Sequence, residues 1–390
     1  MGAISFIQLL NKEIGLAKKR SKKQIIHFRT NREYRQCMMQ LKNQKYAFPA
    51  LSTVRGLGII RAVSCSIRSS TRFLQFPGIL CIEEDRRIRV HPLSTSKQIT
   101  QLHRYRNRNS PVIPWGVEQI SAPEAWSRSL GKHIKIGVID TGIDYQHPDL
   151  RDSIGKSINL LNPHLLAWDD NGHGTHIAGT IAGASQQLGV VGVAPRAVIH
   201  PVKAFDQYGS AYVSDIIAGI DWCVQQKIQI INMSFGMKTF NKSLQTAVLH
   251  AYRSGTIIVA SSGNDGKKSS VDFPARFPQV VSVGATTRKK TIAHFTNCGK
   301  GIDVFAPGER IFSTWLHGEY HEMSGTSMAT AHVSGVTALM LSIRPRLKPR
   351  KIKLILKRTA SALKMRSSAL IRTGQVNARR ALSALNVSKS

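Results

Sequence analysis

Three short signatures, each setting one chemically active side chain among apolar and small residues, constrain this chain more than any other feature. They are Ile136-Gly-Val-Ile-Asp140-Thr-Gly-Ile-Asp144, Asn171-Gly-His173-Gly-Thr-His-Ile-Ala-Gly179 and Ser324-Gly-Thr-Ser327-Met-Ala329. The run from His133 to Ile139 closes in continuous apolar residues, as a strand buried on both faces of a parallel sheet does. Asp140 then falls at the carboxyl end of that strand, where open α/β sheets hold their sites. The segments Thr175–Ala182 and Met328–Met340 read as apolar, small-residue helices opening just after His173 and Ser327. A hydroxyl at such a start gains from free backbone N–H groups and the positive end of the helix dipole. The fold class that follows is α/β with a mostly parallel sheet.

A serine hydroxyl is a weak nucleophile near neutral pH. It needs an imidazole to take its proton and a carboxylate to fix that imidazole's tautomer and stabilise its charge. Each signature alone has a structural reading: Asp140 as a turn former, His173 as a loop histidine, Gly-Thr-Ser327 as a helix cap. Together, in the order Asp, His, Ser, they match one of the three known chain orders of this constellation.

The residues resemble the subtilisin-type serine proteases from about Trp115 to about Met340. The resemblance implies a three-layer α/β core, with Asp140 orienting, His173 as general base and acid, and Ser327 as nucleophile. Asn264, in Ala260-Ser-Ser-Gly-Asn264 after the strand Thr256–Val259, matches the family's side-chain donor to the oxyanion. Ser234-Phe235-Gly236, after the strand Ile228–Met233, resembles one wall of the substrate cleft. Tyr208-Gly209-Ser210-Ala211 resembles the opposing strand, so an extended peptide is clamped by strand addition. Asp272 matches a position at the base of the primary specificity pocket, where a carboxylate favours Lys or Arg. The alternative is that Asp272 pairs with Lys267, Lys268 or Arg276 and faces solvent. One departure is Ala331, where the family usually has proline. The resemblance implies no cofactor for catalysis. It offers a calcium position at Asp149 and Gln186, but Gln186 stands where asparagine is usual and no N-terminal ligand is evident, so the site is expected to be weak or absent.

The N-terminal third has a strand, helix, strand, helix, strand order: Lys23–Phe28, Asn31–Leu41, Ile59–Ile67, Ser69–Leu74 and Gly78–Asp85. It resembles the family's propeptide, a small α+β chaperone and inhibitor whose last strand and tail lie along the cleft. Residues 1–92 are assigned to that prodomain, 93–112 to a basic connector whose arginines suit an acidic pocket, and 113–390 to the catalytic domain. Its basic tail reads as amphipathic helix, with Ile352, Leu354, Ile355 and Leu363 inward. The chain reads as a zymogen acting on polypeptides and on its own propeptide. The alternative is a catalytically silent basic scaffold or binding protein.

The net charge is +33 over 390 residues. Residues 110–340 are close to neutral, and 341–390 contain no Asp or Glu, so the excess sits in the two ends. Such ends can touch nucleic acid or another anionic surface, although no nucleic-acid motif accompanies them. Five cysteines without paired spacing suit a reducing compartment. Met1–Leu10 has neither a basic lead nor a small-residue cleavage site, and no apolar run is long enough to span a bilayer. The expectation is an intracellular protease without a transmembrane segment.

Overall fold

The computed structural model describes residues 5–16, 21–91, 94–95, 110–185, 189–364 and 373–385. Contacts divide the chain into two units, Met1–Arg87 with Tyr212–Asp221, and Ile88–Ala211 with Trp222–Ser390.

In the first unit α1 (Phe6–Gly15), β1 (Lys22–Phe28), α2 (Asn31–Gln44), β2 (Arg55–Leu57), β3 (Ala62–Ile67) and β4 (Ile79–Glu84) follow in order. The strands form an antiparallel sheet, β2-β3-β1-β4. Both helices start in reciprocal capping boxes, Ser5 with Gln8 and Thr30 with Glu33, which satisfy otherwise orphaned first-turn N–H groups. The short apolar stretch seen at Met1–Leu10 belongs in part to a helix that the sequence reading missed. Its Ile7, Leu9 and Leu10 are buried with Ile26, Phe28, Leu41 and Phe73. The second expected helix, Ser69–Leu74, is only a 3-10 turn over Thr71–Gln75. Phe76 precedes Pro77 and is extended, because a proline ring crowds the helical conformation of the residue before it. Asp85 is a buried hub. It accepts from Ser214 N–H at 2.9 Å and Ser64 Oγ at 3.1 Å, with Lys23 Nζ at 3.5 Å. Lys23 and Arg55 also approach Asp215.

The second unit contains β5 (Arg87–Val90), β6 (Ser94–Thr95), β7 (Lys135–Asp140), β8 (Ile158–Asn159), α3 (His173–Ala182), β9 (Val198–Lys203) and β10 (Ser210–Tyr212). After α4 (Val213–Gln225), whose residues as far as Asp221 belong to the first unit, come β11 (Ile230–Met233), β12 (Phe235–Gly236), α5 (Lys242–Arg253), β13 (Ile257–Ser261), β14 (Val281–Thr286) and β15 (Val304–Pro307). It closes with β16 (Ile311–Thr314), β17 (Tyr320–Ser324), α6 (Thr326–Ile343), α7 (Pro349–Thr359) and α8 (Ala378–Ser383). The central sheet has seven parallel strands in the order β15-β14-β13-β11-β7-β9-β8. Chain order reverses at β7, so the carboxyl ends of β7 and β11 form the switch point where α/β sheets bind ligands.

α6 is buried at every residue from Thr326 to Leu341 and packs on β11, β13, β14, β15 and α3. Its 18 residues are just apolar enough to cross a bilayer, but 89% of it is inside the protein, which makes it a core helix. The tail packs as expected through Ile352 and Ile355, joined by Leu356. Leu354, expected inward, is exposed, because α7 turns its i, i+3, i+4 face to the core and leaves position 354 outside that stripe. Leu363 lies beyond the helix and is half-buried. The second unit begins at Ile88, before the expected boundary at 92, because β5 pairs with β12.

Candidate active site

β7 delivers Asp140 and α3 delivers His173, and both side chains are fully buried. His173 Nδ1 lies 2.6 Å from Asp140 Oδ1, which also accepts from Thr141 N–H at 2.8 Å. Burial works against the charged imidazole, but the adjacent Asp140 outweighs it and holds the His173 pKa above the ordinary 6.5. The other ring atom, His173 Nε2, is buried with no hydrogen-bond partner among the described residues.

A second carboxylate, which the sequence reading missed, sets this geometry. Asp169 Oδ1 accepts from Thr141 Oγ1, Asn171 N–H and Gly172 N–H at 2.8–3.0 Å. Its Oδ2 accepts from Thr175 N–H and Oγ1 at 2.9 and 2.6 Å. The start of α3 is thereby tied to the residue after Asp140, with a negative charge at the positive end of the helix. Gly174 completes the approach, since a Cβ there would lie 2.1 Å from Gly142 O. Asp169 stands four residues before His173 in Asp169-Asp-Asn-Gly172, a capping pattern that could have revealed it.

Ser327 is buried in the first turn of α6. Its hydroxyl donates to Ser234 O at 3.0 Å, and Ser234 Oγ donates back to Ser327 O at 3.2 Å. The Ser327 hydroxyl therefore has to leave Ser234 before it can meet His173 Nε2. Asn232 Nδ2 donates to Ser234 Oγ at 2.8 Å and is itself held by Ser334 Oγ, which donates to Asn232 Oδ1 at 2.8 Å. Asn264 accepts through Oδ1 from Thr326 N–H at 2.9 Å and Thr326 Oγ1 at 2.8 Å. Those two bonds fix which end of the amide is oxygen, leaving Nδ2 as the donor end. Ala331 lies in an uninterrupted, buried stretch of α6.

Between the two segments expected to wall the cleft, Tyr208–Ala211 and Ser234–Gly236, lies a strand of the chain itself. The three-stranded sheet runs β10-β5-β12. Val90 pairs with Phe235 and Arg89 with Gly236, while Val90 N–H donates to Gly209 O at 3.0 Å. Ser210 is buried and Tyr208 is 80% exposed. Next to the paired strand, His91 is 4% exposed and its ring lies over Gly236, where a Cβ would come within 2.6 Å. Asp272 is also buried, so the solvent-facing alternative does not hold. Its Oδ2 lies 3.8 Å from His91 Nδ1 and its Oδ1 3.5 Å from Asn297 Nδ2. Burial, then the nearby Asp265, pushes the Asp272 pKa up to about 6. Burial likewise pushes His91 down to about 4, so that ring is neutral at pH 7.

The calcium position is not built from the described residues. Asp149 Oδ2 accepts from Val190 N–H and Tyr320 Oη, both at 2.8 Å, so protein donors already serve this carboxylate. Gln186 lies outside the described residues, among which no cluster of metal-binding side chains occurs.

A family model described as the subtilase family matches residues 131–380. Subtilisin of Bacillus pumilus is 42% identical over 239 residues, which is 60% of this chain and 86% of that protein. Subtilisin E of Bacillus subtilis is 43% identical over 60% of this chain and 62% of its own length. Subtilisin Savinase of Lederbergia lenta is 40% identical over 68% of this chain and 97% of its own.

Proposed function

Because this chain belongs to the subtilase family, and so is a serine peptidase, we propose that it is an endopeptidase working through an acyl-enzyme on Ser327, made as a zymogen and favouring basic residues before the cut. The observation that carries the catalytic reading is the buried 2.6 Å contact of His173 with Asp140, which leaves Nε2 as the one ring atom able to take a proton. Ser327 releases Ser234 O, gives its proton to His173 Nε2 and attacks the substrate carbonyl. Asp140 stabilises the imidazolium. The oxyanion meets the Asn264 amide and the backbone N–H of Ser327, in a water-poor setting where fixed donors count most. His173 then protonates the leaving amine, and water repeats the sequence on the ester. The side chains of Asp140, His173, Asn264 and Ser327 are all intact, which weighs against a silent scaffold.

The preference for basic residues rests on Asp272. A buried carboxylate is stabilised by a cation brought to it, and the neutral His91 imidazole stops 3.8 Å short. A longer Lys or Arg side chain closes that distance. Asp272 is charged above its pKa of about 6 and neutral below it. Selectivity for Arg and Lys over Leu, read as a kcat/KM ratio, therefore grows as pH rises through that value. The Asp272→Asn variant loses both the preference and its pH dependence. Equal selectivity in wild type and variant would refute the assignment.

No cofactor enters this reading. Because Asp149 is already served by protein donors, millimolar calcium leaves the melting temperature unchanged; a rise of several degrees would show a cage that the described residues lack. The five cysteines are free thiols, which counting thiols in freshly isolated protein checks.

A further inference from the structure

Between β13 and β14 the chain forms no helix or strand. It turns instead at Gly263 and Gly266, whose φ angles of 108° and 68° fall in the left-handed region that glycine adopts without steric cost. Such a segment is held by what it bonds to, and one residue outside it binds it on both sides of Asn264. Asn297 is fully buried and donates its backbone N–H to Gly263 O at 2.9 Å. Its Oδ1 accepts from Asp265 N–H at 3.0 Å and from Lys267 N–H at 3.1 Å. Those two donors make Oδ1 the oxygen of the amide, so its other end is the nitrogen. That nitrogen lies between two carboxylates, 3.2 Å from Asp265 Oδ2 and 3.5 Å from Asp272 Oδ1. Asp265 also meets Lys238 Nζ at 3.0 Å, while Asp272 faces the neutral His91 ring at 3.8 Å. Lys238, Lys267 and Arg276 add positive charge around Asp272, and Asp265 adds negative.

We propose that Asn297 is a positioning residue that ties turnover to specificity: its backbone and amide oxygen set the loop that aims Asn264 at the oxyanion, and its amide nitrogen supports the carboxylate that receives a basic side chain. The proposal rests on the endopeptidase reading above and on Asp272 as the anchor for Lys and Arg. Neither role requires Asn297 to touch the substrate. A donor stabilises an oxyanion best from a fixed place, because a preorganised group needs no reorientation as charge develops. Gly263 and Asp265 flank Asn264 in the chain, so fastening both leaves its backbone little freedom to swing, and Thr326 holds its side chain. Beside Asp272 the argument is electrostatic. A hydrogen bond to a carboxylate favours its charged form, and a nearby like charge opposes it. An amide nitrogen between Asp265 and Asp272 therefore helps twice, by donating and by standing between the two negative charges.

The test measures kcat and KM for a Leu peptide and an Arg peptide across the titration of Asp272, with each rate divided by the number of sites that a fluorophosphonate titrates. A chain that is merely destabilised loses sites but keeps its rate per site. The proteins are wild type, Asn297→Ala, Asn264→Ala, the double variant and Asn297→Asp. Asn297→Ala is expected to lower kcat on the Leu peptide by at least about tenfold, and by no more than the roughly 10²–10³-fold that losing an oxyanion donor outright costs, with KM little changed. In the Asn264→Ala background the same substitution costs no further kcat, because the group it aims is gone. The midpoint at which selectivity for Arg over Leu develops moves up from about 6 in both backgrounds. Asn297→Asp keeps an oxygen for both N–H groups but replaces the NH₂ with a third acidic group, so kcat on the Leu peptide stays near wild type while the midpoint still rises. Equal losses of kcat with and without Asn264, or an unmoved midpoint, overturn the proposal. If the alanine chain yields no titrated sites, the aspartate variant decides alone: a lost kcat or an unmoved midpoint overturns it. A wild type with no preference for Arg at any pH overturns the Asp272 assignment instead, and one that hydrolyses no peptide overturns the peptidase reading.

Discussion

Replacing Ser327 with alanine is expected to lower kcat by about 10⁶-fold, the size known for the same knock-out in subtilisin itself. The loss follows from the position of one atom. Ser327 Oγ stands in the first turn of α6, one residue after Thr326, whose N–H and Oγ1 donate to Asn264 Oδ1 and so hold the Asn264 loop beside it. Removing it leaves the cleft walls, Asp272 and the oxyanion donors intact, so peptides still bind and KM changes little. Hydrolysis rates of an Arg-containing peptide by the two purified proteins check this. A residual rate within tenfold of wild type would mean that another group attacks.

Changing Asp140 to asparagine is expected to cost about 10⁴-fold in kcat. The amide can present its NH₂ to His173 Nδ1, which turns the ring to the tautomer whose Nε2 carries a proton and cannot accept one. The pH profile moves as well. The wild-type imidazole must be neutral to act, so kcat/KM rises with pH through a midpoint above 6.5, because Asp140 holds the His173 pKa up. Without that carboxylate, burial outweighs the remaining pull of Asp169 on the fully enclosed ring, and the midpoint falls below 6.5. Kinetics of both proteins between pH 5 and 9 read the two effects together. A slow variant with an unmoved midpoint would place the titrating group elsewhere.

The core was legible because its chemistry and its packing coincide. A continuous apolar strand can only be buried, and Asp140 stands at its end; the helix of Ser327 is made of apolar and small residues, with its few Thr, Ser and His side chains buried among them. The parts that escaped reading depend on distant partners. Asp169 looks like one acidic residue in a polar loop until five donors converge on it. Asp272 gave two readings, since sequence alone could not show whether it faces solvent beside basic neighbours or is enclosed, and the structure encloses it. α1 was hidden because its polar residues, Gln8, Asn11 and Lys12, interrupt the apolar run that reads as a short stretch, and its worth lies in covering a sheet. His91 carried no local signal at all. Its place follows from strand pairing between residues nearly the length of a domain apart in sequence.

The most direct test of the account is mass mapping of a fluorophosphonate adduct on the activated enzyme, run beside the His173→Ala variant. The account predicts one phosphonyl group on the peptide containing Ser327 in the wild type and none in the variant, because only a hydroxyl relieved of its proton by His173 attacks the reagent. An adduct on a different residue, or equal labelling of Ser327 without His173, would contradict it.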